Sequence, residues 1–159
     1  MFHQKWYLRS FTLIEVLVVI GIIATLSAVA LVAVNPARQF KLARDTQRSA
    51  NLTSLLNALH QNLSEHRGLL VCDGANVTIP SQPTFVASAS STPSGSAMDL
   101  ADCLMPDYLP VLPFDPSHYG AYYHAIHDYN TGYQIFTDNT GRLTASATGE
   151  LSATIFETR

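Results

Sequence analysis

The pattern of apolar and polar positions changes character several times along the chain. From Val16 to Val34 there is no charge, and only Gly21, Thr25 and Ser27 interrupt an otherwise apolar run of Val, Ile, Leu and Ala. That run is close to the ~20 residues a helix needs to cross a hydrocarbon core. It is apolar on every side, so a helix there must be buried in protein or lipid. The remainder of the chain offers too little apolar mass to bury it, and the pattern predicts a membrane-inserted segment over residues 11–34. From residue 35 to 66 the pattern becomes one-sided. Leu52, Leu55, Leu56, Leu59 and Leu63 recur at spacings of three and four, which marks an amphipathic helix. Lys41 and Asp45 lie four apart and are placed to pair, and Gly68 is a natural stop. One helix from about Phe11 to about Glu65 would be roughly 80 Å long at 1.5 Å per residue, too long for a compact core. Asn35-Pro36 is the place for a break or kink, since the residue before a proline is biased away from helix.

Beyond the helix the pattern loses regularity. Residues 67–118 hold Pro80, Pro83, Pro93, Pro106, Pro110, Pro113 and Pro116, and 87–97 reads ASASSTPSGSA, so this part is predicted as a loop region. Residues 119–149 predict an antiparallel meander. Its strands are Tyr119–His127, Tyr133–Thr137 and Arg142–Ala147, with turns at Asp128–Gly132 and Asp138–Gly141. This sheet is expected to pack on the Leu52–Leu63 stripe. The tail 150–159 carries no clear signal. The fold class expected is α+β.

Composition sharpens this layout. The chain has 159 residues, 47% hydrophobic and only 13% charged, which suits one domain. The net charge of −3 hides a split: residues 1–48 carry six basic residues against Glu15 and Asp45, and residues 49–159 carry three against ten acids. A basic, apolar N-terminal end and an acidic remainder fit a membrane-proximal segment and a solvated head. The basic residues do not continue past the helix, so no nucleic-acid partner is predicted. The two cysteines, Cys72 and Cys103, are compatible with a disulfide in an exported region or with two thiols in the cytoplasm.

A secretory signal peptide competes for the N-terminal segment, but the apolar run is longer than the 7–15 residues such a peptide uses. Glu15 stands out, because an acid at the edge of a spanning helix is either functional or held at the headgroup level. The string Ser10-Phe11-Thr12-Leu13-Ile14-Glu15 resembles the processing and methylation signal of type IV prepilins and type II secretion pseudopilins. The resemblance covers about the first 40 residues closely and the rest by layout. It implies a pilin fold, a basic leader Met1–Ser10, cleavage between Ser10 and Phe11, N-methylation on Phe11, and pairing of Glu15 with the terminal amine of a neighbouring subunit. Ser10 stands where the family usually has Gly. The implied partners are a prepilin peptidase/methylase, identical or homologous pilin subunits, and an inner-membrane assembly platform. The implied location is the inner membrane as a single-pass protein, then an extracytoplasmic or cell-surface filament. The resemblance does not separate a pilus from a secretion pseudopilus or a DNA-uptake filament.

Other chemistry is weakly signalled. His118, His124 and His127 have no convergent carboxylate, and His124 and His127 would face opposite sides of a strand. Major pseudopilins carry a calcium loop, for which Asp99, Asp102, Asp107 and Asp115 are the candidate oxygen ligands here. No nucleophile elbow, phosphate loop or Cys-His pattern is present, so no enzyme and no other cofactor are expected. The alternative to a filament subunit is a signal-anchored membrane protein whose extracytoplasmic head binds a ligand without polymerising.

Overall fold

The computed structural model describes residues 11–88 and 96–159. The leader, Ser10 and most of the 87–97 stretch lie outside the described residues. The chain divides into two units, one up to Gln39 and one from Phe40 to Arg159. The fold is α+β: a long apolar N-terminal helix, then a largely antiparallel sheet.

Helix α1 spans Leu13–Val34 and has no buried residue. It ends at Asn35, whose φ of 45° is left-handed, a conformation asparagine tolerates better than most residues. Helix α2, Pro36–Glu65, starts at once. Pro36 takes the first helical position, where a missing N–H costs nothing. The Asn35 side chain accepts a hydrogen bond from the Arg38 N–H at 3.3 Å. One asparagine thus closes α1 and caps α2, and the break expected at Asn35-Pro36 divides the long helix in two.

In the second unit, Leu52, Leu55, Leu56 and Leu59 of α2 are fully buried, each side chain contributing about 1.5–3 kcal/mol of transfer free energy. They join Val86, Leu100, Leu104, Leu112, Tyr129, Tyr133, Ile135 and Ala145 in one core. The helix ends as Gly68, with φ 89°, returns its N–H to the Leu63 carbonyl at 2.7 Å.

The 67–118 region holds more structure than its prolines suggest. A hairpin joins β1 (Leu70–Cys72) to β2 (Ala75–Val77). Strand β3 (Thr84–Ala87), strand β4 (Ala97–Met98) and the short helix α3 (Ala101–Leu104) follow. The proline-rich crossover 106–116 lays Leu112 into the core, while Phe114 stays 42% exposed. The main sheet adds β5 (Tyr122–Ala125), β6 (Asp128–Thr137), β7 (Leu143–Thr148) and β8 (Thr154–Thr158). Its order is β4-β3-β6-β7-β8, with β5 also on β6. Among the described residues only β3 and β4 pair in parallel.

Two expectations need correction. The first strand is shorter than Tyr119–His127, and its turn falls at Ile126-His127. The supposed turn Asp128–Gly132 is instead the first half of β6. Asn130 Oδ1 accepts the Gly132 N–H at 3.0 Å and Thr131 Oγ1 accepts the Tyr133 N–H at 3.1 Å, so turn-forming side chains satisfy a distorted strand from within. The tail is also a strand: β8 pairs with β7 from Thr154↔Thr148 to Thr158↔Thr144.

Candidate processing segment and the head that follows it

The N-terminal segment is built around a helix start. Thr12 is the N-cap of α1, and its hydroxyl accepts the Glu15 N–H at 3.2 Å. The Glu15 carboxylate reaches back to the Thr12 N–H at 3.5 Å, a long contact. This is a capping box, which satisfies two of the four N–H groups left open at a helix start. Its sequence signature is Thr-x-x-Glu ahead of an apolar run. The first helical turn is also where a carboxylate is favoured by the helix dipole. Phe11 is 79% exposed, beside the cap. Behind Glu15, α1 is long and apolar enough to cross a membrane. Thr25 ties its hydroxyl to the Ile22 carbonyl at 2.9 Å, so this polar group does not stand open on the apolar helix.

The head carries an ion network that sequence spacing did not reveal. Arg48, 2% exposed, grips Asp115 with Nε and Nη2 at 2.7 and 2.9 Å. Its Nη1 donates to Asp45 at 2.7 Å and its Nη2 to the Ser117 hydroxyl at 2.7 Å. Glu150 lies at 3.4 Å from Arg48 and is held in a two-pronged pair by Arg44. Asp45 accepts the backbone N–H groups of Glu150 and Leu151, both at 2.9 Å. The expected Lys41–Asp45 pair does not form, because Asp45 is taken by Arg48 and the tail. Burial pushes Asp115 up, but Arg48 and the N–H groups of Ser117 and His118 outweigh it and hold its pKa below the usual value. Asp45 is likewise lowered: burial opposes ionisation, and the Glu150 and Leu151 N–H groups together with Arg48 overcome it. Glu150 falls to about 2, chiefly through its hydrogen bonds from Arg44 and then Ser117. The network holds the crossover and the tail against α2.

Cys72, at the end of β1, and Cys103, in α3, are joined in a disulfide. With the two cysteines separated by 31 positions in sequence, closure of that loop is worth about 3–4 kcal/mol by loop entropy. Asn62 supports the same place, donating to the carbonyls of Val71 and Cys103 at 2.8 Å.

The four acids considered for calcium are dispersed in role. Asp115 is committed to Arg48. Asp99 accepts from the Tyr129 hydroxyl at 2.7 Å and from the Ala101 N–H at 3.1 Å. Asp102 and Asp107 are exposed. Among the described residues no group of three or more His, Cys, Asp or Glu is placed to hold a metal. His124 contacts Asp128 at 3.2 Å on the surface, and His127 sits in the turn after β5 rather than within the strand.

Comparison with known proteins bears on the N-terminal segment first. Residues 9–31 match the family described as Prokaryotic N-terminal methylation motif. The chain is also similar to the Prepilin peptidase-dependent protein D of Escherichia coli (strain K12), with 43% identity over 95 residues. That alignment covers 55% of this chain and 59% of the relative's length. No solved structure matches the chain significantly. Together the motif and the relative support a pilin- or pseudopilin-type protein with an apolar N-terminal membrane anchor.

Proposed function

We propose that the chain is the precursor of a structural filament subunit, cut between Ser10 and Phe11, N-methylated on Phe11, and polymerised through α1. The observation that carries this reading is α1 itself: 22 residues with none buried, and a single acid in the first turn, directly within the methylation motif. A helix of that kind needs lipid before assembly and like helices afterwards. Cleavage before Phe11 creates an α-amine one residue from Thr12, whose N–H Glu15 already approaches. In a helical bundle free of water a carboxylate needs a cation. The amine of a neighbouring copy supplies it, and the pairing fixes the stagger between helices.

The partners follow from these steps. They are a membrane peptidase that also methylates, further pilin-type subunits, and an assembly platform in the cytoplasmic membrane. The precursor is held in that membrane by α1, and the mature head lies outside it. Co-expression with a prepilin peptidase, followed by mass measurement of the mature chain, tests the reading. The expected N-terminus is a methylated Phe11. A mature N-terminus at any other residue refutes the processing step. Glu15→Ala is expected to abolish filaments while the membrane-held chain keeps its level, and filaments of normal yield refute the pairing.

A further inference from the structure

The main sheet guards its borders unequally. A strand with a free edge is a template for another chain, and proteins blunt such edges with short strands, bulges, prolines or lysines. On one side β4 has only two residues, and β5 shifts register against β6. On the other side β8 ends the strand order. It runs five residues and pairs with β7 without a shift in register. Its sequence, Thr-Ile-Phe-Glu-Thr, holds no proline and no lysine. Its one charged residue, Glu157, accepts a hydrogen bond from the Ser49 hydroxyl of α2.

The hydrogen-bond phase of β8 is set at its end. Leu143 and Arg159 exchange both backbone bonds, at 3.1 and 2.9 Å. Opposed residues in an antiparallel ladder alternate between bonded and non-bonded pairs. Glu157 and Ile155, opposite Ala145 and Ala147, therefore also bond to β7. Thr154, Phe156 and Thr158 turn their N–H and C=O groups the other way, to the open edge. The side chains of these three residues are exposed, Phe156 by 59%. Ile155, between them, is only partly buried at the margin of the core.

This edge is complementary to itself. Two β8 strands laid antiparallel about Phe156 set Phe156 opposite Phe156, Thr154 opposite Thr158, and Ile155 opposite Glu157. Every outward N–H then meets an outward carbonyl. Aromatic–aromatic and Thr–Thr pairs are among the cross-strand pairs that stabilise a sheet. We propose that β8 is a docking edge for a second copy of this chain, the two β8 strands pairing antiparallel so that both sheets become one. The contact is isologous, with its twofold axis normal to the joined sheet. Helix α2 lies against that sheet through Leu52, Leu55, Leu56 and Leu59, so the axis reverses it, and the α2 helices of the two copies point opposite ways. Neighbours within one helical filament all point the same way. The pairing therefore joins copies from separate filaments lying side by side in opposite directions. That setting rests on the filament reading; the pairing of heads does not.

The test uses the full chain in detergent. Its two cysteines are bonded to each other, so an added thiol has no internal competitor. Residues opposed in a bonded pair have Cα atoms about 5.5 Å apart, within disulfide reach. Under mild oxidation with diamide, Phe156→Cys is expected to give linked dimer at least about tenfold faster than Tyr119→Cys, whose site is 99% exposed and reports random collision. Equal rates overturn the pairing. A second arm exchanges charge across the register. The wild-type chain is expected to sediment as a dimer; a monomer overturns the pairing. Thr154→Lys/Thr158→Lys and Thr154→Glu/Thr158→Glu are each expected to be monomeric, with the tyrosine circular dichroism of the wild type, and their equal mixture dimeric. A mixture that stays monomeric overturns the register. Association undiminished in either variant alone belongs to α1 and overturns the edge contact. In electron micrographs wild-type filaments are expected in side-by-side bundles that the Lys variant lacks, and bundles kept by that variant overturn the setting. Absence of filaments with the detergent dimer intact overturns the filament reading alone.

Discussion

Replacing Arg48 by alanine withdraws the cation from the interior of the head while leaving its carboxylates in place. Asp115 has a side chain only 1% exposed, and Asp45 only 11%. Removing one partner of a buried pair costs about 3–5 kcal/mol, because the other charge is left without compensation. Here the low end applies. Asp115 keeps the N–H groups of Ser117 and His118, and Asp45 keeps those of Glu150 and Leu151. A loss of about 3 kcal/mol is expected, and at a urea slope of about 1–2 kcal/mol/M it moves the midpoint down by about 1.5–3 M. The assay is urea unfolding of the full chain in detergent, followed by tyrosine circular dichroism, which reads the head because Tyr129 and Tyr133 are in its core. Arg48→Lys should recover only part of the loss, since an ammonium cannot make the two-pronged contact with Asp115. Arg48→Met with Asp115→Leu should recover most of it, because both buried charges then leave together. A loss below about 1 kcal/mol for Arg48→Ala would show that the network is solvated and refute the reasoning.

Acid should loosen the same network. Asp45, Asp115 and Glu150 have folded pKa values below their ordinary values of 3.8, 3.8 and 4.5, so the unfolded chain takes up protons first as pH falls. Stability is then full above about pH 5 and declines from about pH 4.5 towards 2; a urea midpoint that stays flat from pH 5 to 2.5 contradicts this. Gly132 has φ 72°, and a Cβ there would lie 3.1 Å from Ala121, 3.2 Å from His118 and 3.3 Å from Asp115. Gly132→Ala should therefore cost about 1–3 kcal/mol in thermal unfolding, and Gly141→Ala, at a similar φ with open space around it, less; equal losses would refute the role of crowding.

The legible parts of the chain were those whose signal is local. An uninterrupted apolar run, a leucine stripe and a glycine stop are written in neighbouring residues, and the structure places a helix, a core face and a helix end there. The Phe-to-Glu string was equally readable, down to a Thr-x-x-Glu cap that needed only its own spacing to be noticed. Distant partners were not readable. Lys41 and Asp45 have the right spacing to pair, but Asp45 is claimed by backbone N–H groups 105 and 106 residues away. Asp115 reads as a candidate calcium ligand in a proline-rich loop because nothing near it in sequence announces Arg48. Asp128–Gly132 looked like a turn because its residues are turn formers; inside β6 the same side chains satisfy the backbone of a bulged strand. The tail lacked a signal because a five-residue strand acquires its meaning only from β7 beside it.

That last strand has a bearing on when the head can become itself. Arg48 is made early, with the helix, whereas Asp115 follows 67 residues later and Glu150 102 residues later. β8, Thr154–Thr158, covers the outer side of β7. Until residues 150–158 have been made, the arginine lacks part of its complement and β7 keeps a bare flank. Completion of the head is in this sense a late event in synthesis: the helix that founds the core waits for a strand made about a hundred residues after it.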